Sequence, residues 1–254
     1  INRAVKAKLL LMAASPLFNG NSDFANLANK DGEKLFNPTA NPDKWRYALD
    51  AAREAIRDAE AAGNRLYYYT IPEFTMSDTT MTQMSIRGAV TEKWNEEVVW
   101  ANSNSRTHTL QQAAMAILSA DMSTQAYNSL SPTLKVVQEF YTRNGVPINE
   151  DKTLDFSNIK ALRTATQAER VNFEVRYETA RINYDRENRF YASIGFDGGK
   201  WLMIDIPGRV DYDALTVKAK SGQISAGAGM GCFSETGYYV KKLVNWESGF
   251  TANS

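Results

Sequence analysis

The chain has 254 residues and an apolar fraction of 43%, enough to bury a core and to exclude a disordered chain. Lys plus Arg equal Asp plus Glu at 29 each, so the basic field that nucleic-acid binding needs is absent. A single cysteine, Cys232, makes no internal disulfide and no zinc cluster, and reads as an inert thiol.

No stretch approaches the ~20 apolar residues of a membrane-spanning helix. The opening Ile1-Asn2-Arg3 does not begin a signal peptide, because the apolar run 9–12 is too short and no cleavage pattern follows. With no initiator Met, the chain reads as a mature, trimmed or internal piece of something larger.

Ala4, Ala7, Leu11 and Ala14, widened by Val5, Leu9 and Met12, repeat with helical spacing and predict a first helix that Pro16 stops. A polar loop with Gly20 and Gly32 follows over 17–41 and is long enough to suggest a function of its own. Asn41 as N-cap and Pro42 in the first turn open a second helix. Trp45, Ala48, Leu49, Ala52, Ile56 and Ala59 form its apolar face, and Gly63 suits its C-terminal cap. Two helices with alanine-rich inner faces predict a degenerate TPR-like helical segment over 1–63.

Residues 64–254 read as an irregular, mixed α/β part of short helices, short strands and long loops, the fold class overall being mainly α. In the extended segment 66–71, Tyr68 points opposite to Tyr67 and Tyr69. Residues 97–101 form an apolar run with strand character. Ser131-Pro132 opens a helix bearing Leu134, Val137 and Tyr141, closed by Asn144-Gly145. Val171, Phe173, Val175 and Tyr177 alternate with polar residues as in a strand, and 190–196 and 201–206 read as two strands around Gly198-Gly199. The stretch 221–231 is a Gly/Ala-rich loop.

Six segments in the same order resemble the SusD/RagB family. They are the run from Ala7 to Asn19 ending in Ala14-Ser15-Pro16-Leu17-Phe18-Asn19, the alanine-rich helix 45–59, Glu96-Glu97-Val98-Val99-Trp100, and Ser131-Pro132-Thr133-Leu134-Lys135-Val136-Val137 with Asn144-Gly145. Arg186-Glu187-Asn188-Arg189-Phe190-Tyr191-Ala192 and Thr236-Gly237-Tyr238-Tyr239-Val240-Lys241-Lys242 complete the set. Asn188 departs from the pattern, standing where the family usually has proline. Members are roughly twice this length, so the chain resembles their middle. The resemblance implies a TPR-like scaffold carrying an irregular glycan-binding part, without catalytic residues or cofactor. It also implies a lipid-anchored place on the outer-membrane surface, the anchor lying outside this chain. The expected partners are oligosaccharides or polysaccharides and a SusC-like TonB-dependent transporter. Some members bind other nutrients, including peptides.

A sugar site needs aromatic faces for C–H surfaces and planar polar groups for hydroxyls. Trp201 follows Asp197-Gly198-Gly199-Lys200 and stands either near a loop tip as a platform or beneath the turn as a core plug. Trp246 beside Asn245 and Glu247, Trp94 beside Lys93 and Asn95, and Tyr68 are the other candidate platforms. Trp45 and Trp100 lie in periodic or apolar runs and read as core.

For a glycoside hydrolase, two carboxyls must face each other across a substrate. Glu96-Glu97 and the pair Asp211 and Asp213 are adjacent acids that read as solvated positions, and the second pair lacks the rest of a calcium loop. Gly227-Ala228-Gly229-Met230-Gly231 lacks the Lys-Ser/Thr of a phosphate loop, and His108 reads as an exposed loop residue. The readings that stand beside glycan capture are a helical protein-interaction module without a sugar site of its own, and a glycoside hydrolase.

Overall fold

The structure is a computed structural model that describes residues 1–70, 76–122, 126–203, 211–227 and 233–248. The chain is mainly helical with short strands and forms two compact units. One comprises 1–66 and 94–103, the other 67–93 and 104–254.

In the first unit, α1 (Asn2–Ala14) packs on α2 (Asp43–Ala61). Ser15 is extended at ψ 152°, as a residue before proline must be, and α1 ends there. Asn41 accepts the Asp43 N–H at 2.9 Å, and Pro42 occupies the cap itself. Beyond α2, Gly63 takes a left-handed φ of 96° and the chain turns away. The residues α2 buries are Ala48 and Ala51, and α1 buries Ala14. Small side chains let the two helices approach closely, and the larger residues ride outside that contact. Arg3 ties the pair together through Glu54 (2.6 Å) and Asp58. The long connection is closed at its base by Asn19, which donates to the Asn41 carbonyl and accepts the Asn41 N–H. It carries its own aromatic knot, Phe36 lying 6.2 Å from Phe18 and 5.2 Å from Phe24.

The second unit contains α3 (Asp78–Thr91), α4 (Thr107–Ala114), α5 (Leu134–Glu139) and α6 (Asn188–Ser193). Its strands among the described residues are β1 (Leu162–Thr164), β2 (Glu178–Ala180), β3 (Ile194–Phe196), β4 (Lys200–Trp201), β5 (Leu215–Thr216) and β6 (Tyr238–Val240). They pair antiparallel as β1–β2, β3–β6 and β4–β5. One apolar cluster gathers Met115, Ile117, Trp201, Val217, Tyr239 and Val244. A second gathers Val137, Phe173, Tyr184, Phe190, Tyr191 and Phe196, with Phe173 stacked on Tyr184 at 4.3 Å.

Two family-like motifs are structural joints. The Arg186 side chain, 3% exposed, donates to the carbonyls of Val137, Phe140, Tyr141 and Ile182. Val137 and Phe140 sit at the end of α5, where carbonyls lack helical partners, so Arg186 acts as its C-terminal cap. In the other, Gly237 at φ 75° leads into β6, and the Tyr239 hydroxyl donates to the Ser225 carbonyl.

Several expectations are corrected. Residues 97–101 form no strand; Asn64 and Arg65 hold the segment through the Glu96 and Val98 carbonyls. The alternation at 171–177 is interrupted by Arg176 at φ 66°, which leaves Phe173 as a single bridge to Gly199. Residues 190–196 divide into the end of α6 and β3, because the run is buried on all sides and its apolar residues do not alternate. His108 sits exposed in the first turn of α4 rather than in a loop. Cys232, residues 228–231, Ile71 and the 204–206 end of the expected strand lie outside the described residues.

Candidate functional site

Two of the four candidate platforms belong to the core. Trp201 is 0% exposed and Trp246 is 2% exposed, and neither presents a face that a sugar could reach. Polar flanks suggested exposure in both cases, but those groups are consumed internally. Asp197 accepts the Tyr177 hydroxyl at 2.7 Å and the Ala219 N–H at 2.8 Å. Lys200 pairs with Glu174 at 2.5 Å. Asn245 donates its side-chain amide to the Thr91 carbonyl and its backbone N–H to Gln111. The turn at Gly198 thus folds its polar tip back onto the unit, and Trp201 plugs the core beneath it. The Trp246 ring packs edge-on against Tyr69, centroids 5.5 Å apart.

The other two candidates are open to solvent. Trp94 is 61% exposed in the first unit, and Tyr68 is 67% exposed in the second. The alternation read at 67–69 holds. Tyr67 lies where a side chain on Gly88 would stand, Tyr68 faces out, and Tyr69 is buried with its N–H on the Ser85 hydroxyl. Burial pushes the Tyr69 hydroxyl far above its ordinary pKa, with smaller contributions from Tyr67, Glu247 and Glu92, so it stays protonated.

Trp94 adopts φ 57°, in the left-handed region that a bulky residue rarely enters. It opens the segment 94–103 of the first unit, which also presents Trp100 at 60% exposure. The apolar run leading into Trp100 predicts a core position, and the structure corrects it. The signal for exposure of Trp100 was the polar stretch Asn102-Ser103-Asn104-Ser105 that follows. Trp45 is likewise corrected, being half exposed at 50% because α2 spends its alanines, not its large residues, on α1. The segment 94–103 also carries amides fixed by hydrogen bonds. The Asn95 side chain accepts the Glu97 N–H, and Asn64 donates to the Glu96 and Val98 carbonyls. Flat apolar rings beside fixed amides suit the C–H faces and hydroxyls of a carbohydrate.

The acidic pairs have structural partners. Glu96 meets Arg65 at 3.3 Å, and hydrogen bonding to backbone N–H holds its carboxyl below the usual range, helped by Arg65. Asp211 is 4% exposed and accepts from the Ser77 N–H, the Ser77 hydroxyl and the Thr80 hydroxyl at the start of α3. Among the described residues, no helix is long and apolar enough to cross a membrane.

The sequence matches the family model described as the SusD family over residues 89–254. No curated protein matches the chain. The fold is similar to the solved structure named BT4246, at 26% identity and a TM-score of 0.72, with 96% of this chain and 43% of that one covered. A selenomethionine form of BT4246 is similar to the same degree, with 45% of that chain covered. The chain therefore spans less than half the length of the solved structures it resembles.

Proposed function

This chain belongs to the SusD family, and from that premise we propose that it is part of a surface glycan-binding protein that captures oligosaccharides and delivers them to a SusC-like outer-membrane transporter. The family match carries the reading. The exposed Trp94 and Trp100, twin indoles on one short segment, support it as a platform for sugar rings; Tyr68, exposed in the other unit, is a separate candidate ring. Trp201 and Trp246 are not part of it. The protein binds without turnover. Shallow, wet platforms of this kind give dissociation constants of about mM to μM, roughly 4 to 8 kcal/mol. The parent protein is held at the outer-membrane surface by a lipid anchor, and α1 with α2 forms one pair of a TPR-like array.

A specific observation favours a second role for the same protein. Trp45, Leu49 and Ile56 on α2 are 50%, 48% and 58% exposed and follow helical spacing. An uncovered apolar stripe of this kind suits a protein contact, as an interaction module requires.

The test is titration of the full-length protein with a panel of plant and host oligosaccharides, followed by tryptophan fluorescence. Binding of at least one polymer type, weakened in Trp94→Ala and Trp100→Ala and accompanied by no release of reducing sugar, is the expected result. Absence of binding to every glycan at millimolar concentration, or cleavage of any of them, would sink the proposal.

A further inference from the structure

Every residue of the first unit is described, and the unit carries as many acidic as basic side chains. Two carboxylates, Glu96 and the exposed Glu97, fall between Trp94 and Trp100 in the chain. The guanidiniums of Arg65 and Arg3 border this segment, and both are paired with carboxylates. Arg65 meets Glu96 at 3.3 Å and donates its backbone N–H to the Glu96 carbonyl. Arg3 lines one concavity with Val99 and is paired with Glu54 at 2.6 Å and with Asp58. Lys93, which precedes Trp94, is balanced in charge by Glu97. The segment that presents the two indoles therefore carries no surplus of positive charge.

A uronate or a sulfated sugar is recognised by a guanidinium or ammonium whose donors are free to meet its oxygens. On this segment such a ligand would compete with Glu96 for Arg65 and bring its own negative charge to a stretch that already holds Glu97. Like charges repel, most strongly at low salt. An uncharged sugar meets neither obstacle, since it needs only ring faces and hydrogen-bonding groups.

We propose, on the premise of glycan capture at Trp94 and Trp100, that their segment selects uncharged glycans and discriminates against uronate and sulfated ones. The indoles supply the attraction, which is indifferent to charge, and the carboxylates between them supply the discrimination.

The test is titration of the full-length protein with uncharged oligosaccharides of xyloglucan, galactan, mannan and arabinan, and with acidic ones of polygalacturonate, alginate and chondroitin sulfate. Binding is assigned to this segment where Trp94→Ala weakens it. The tightest ligand is expected to be uncharged, with an affinity that stays within about twofold as sodium chloride rises from about 20 to about 500 mM. Glu97→Lys, which reverses one charge between the indoles, raises the affinity for the acidic oligosaccharides by about fivefold at low salt. An acidic oligosaccharide bound more tightly than every uncharged one, or no gain for the acidic set in Glu97→Lys, overturns the proposal. If no glycan of either set binds, glycan capture itself fails and the selection falls with it.

Discussion

The Trp201 indole occupies the space that a side chain on Gly195 would take: a Cβ placed on that glycine would lie 2.5 Å from the ring's Cζ3 and 3.2 Å from the Tyr239 Cβ. Gly195 lies in β3 opposite Tyr239 of β6, so the indole is pressed onto the β3–β6 ribbon. Gly195→Ala forces the ring or the ribbon to move, with an expected loss of about 1–3 kcal/mol in urea denaturation. Trp201→Ala empties the same space and costs about 3–5 kcal/mol. Sugar binding lost in that variant would report unfolding rather than a missing platform.

Trp94 allows binding and backbone strain to be separated. Its φ of 57° disfavours any side chain with a Cβ by roughly 1–2 kcal/mol. Trp94→Gly should therefore be more stable than Trp94→Ala by about 1 kcal/mol in denaturant titrations. Both variants should weaken glycan binding about tenfold, the equivalent of about 1.4 kcal/mol. Equal stability of the two would show that the left-handed backbone is not maintained.

Arg186 holds the end of α5 with a planar fork, and its guanidinium lies 4.6 Å from the Phe190 ring centroid. Burial lowers its pKa to about 10, leaving it charged across the neutral range. Lysine keeps that charge but cannot reach several carbonyls in one plane. Arg186→Lys should cost about 1.5–3 kcal/mol by chemical denaturation, with the first protection lost in hydrogen exchange at α5.

Asn188 is the first residue of α6, and Glu187 before it is extended at φ −64° and ψ 158°. That is the conformation a residue preceding proline requires, and proline at a first helical position forfeits no helical hydrogen bond. Asn188→Pro, which restores the usual family residue, should raise stability by about 0.4–1 kcal/mol, read as a higher denaturation midpoint.

In the second unit Lys241 shares a small cavity with Arg87, Lys200 and Asp211. Burial, reinforced by Arg87, lowers the Lys241 pKa from 10.5 to about 7. The unfolded chain then binds more protons than the folded one between about pH 7 and 10.5, so this group's contribution to stability rises with pH across that window. Lys241→Met removes that contribution. Its Tm advantage over the unaltered protein, measured at constant ionic strength, should be largest near pH 7 and shrink by pH 10.

Much of this architecture is legible in the residues. Pro16 and Gly63 end the first two helices where they must, because proline cannot continue a helix and glycine tolerates the left-handed turn. Tyr68 faces out because alternation in an extended segment is geometric. The strand read at 171–177 fails because Arg176 takes a positive φ that no pattern of apolar residues announces.

Sequence by itself determined the helical opening, the mixed character of the rest and the family, since these depend on local spacing and on motifs whose residues act as caps and turns. Which indoles meet solvent was decided only by the tertiary structure. Polar neighbours mark a ring as exposed only if they face water, and Asp197, Lys200 and Asn245 instead find partners distant in sequence that draw Trp201 and Trp246 inward. Trp45 stays outside because α2 closes on α1 through alanines, a choice made by packing distance that no single stretch of chain records, and Trp94 and Trp100 stand exposed on a segment without helix or strand.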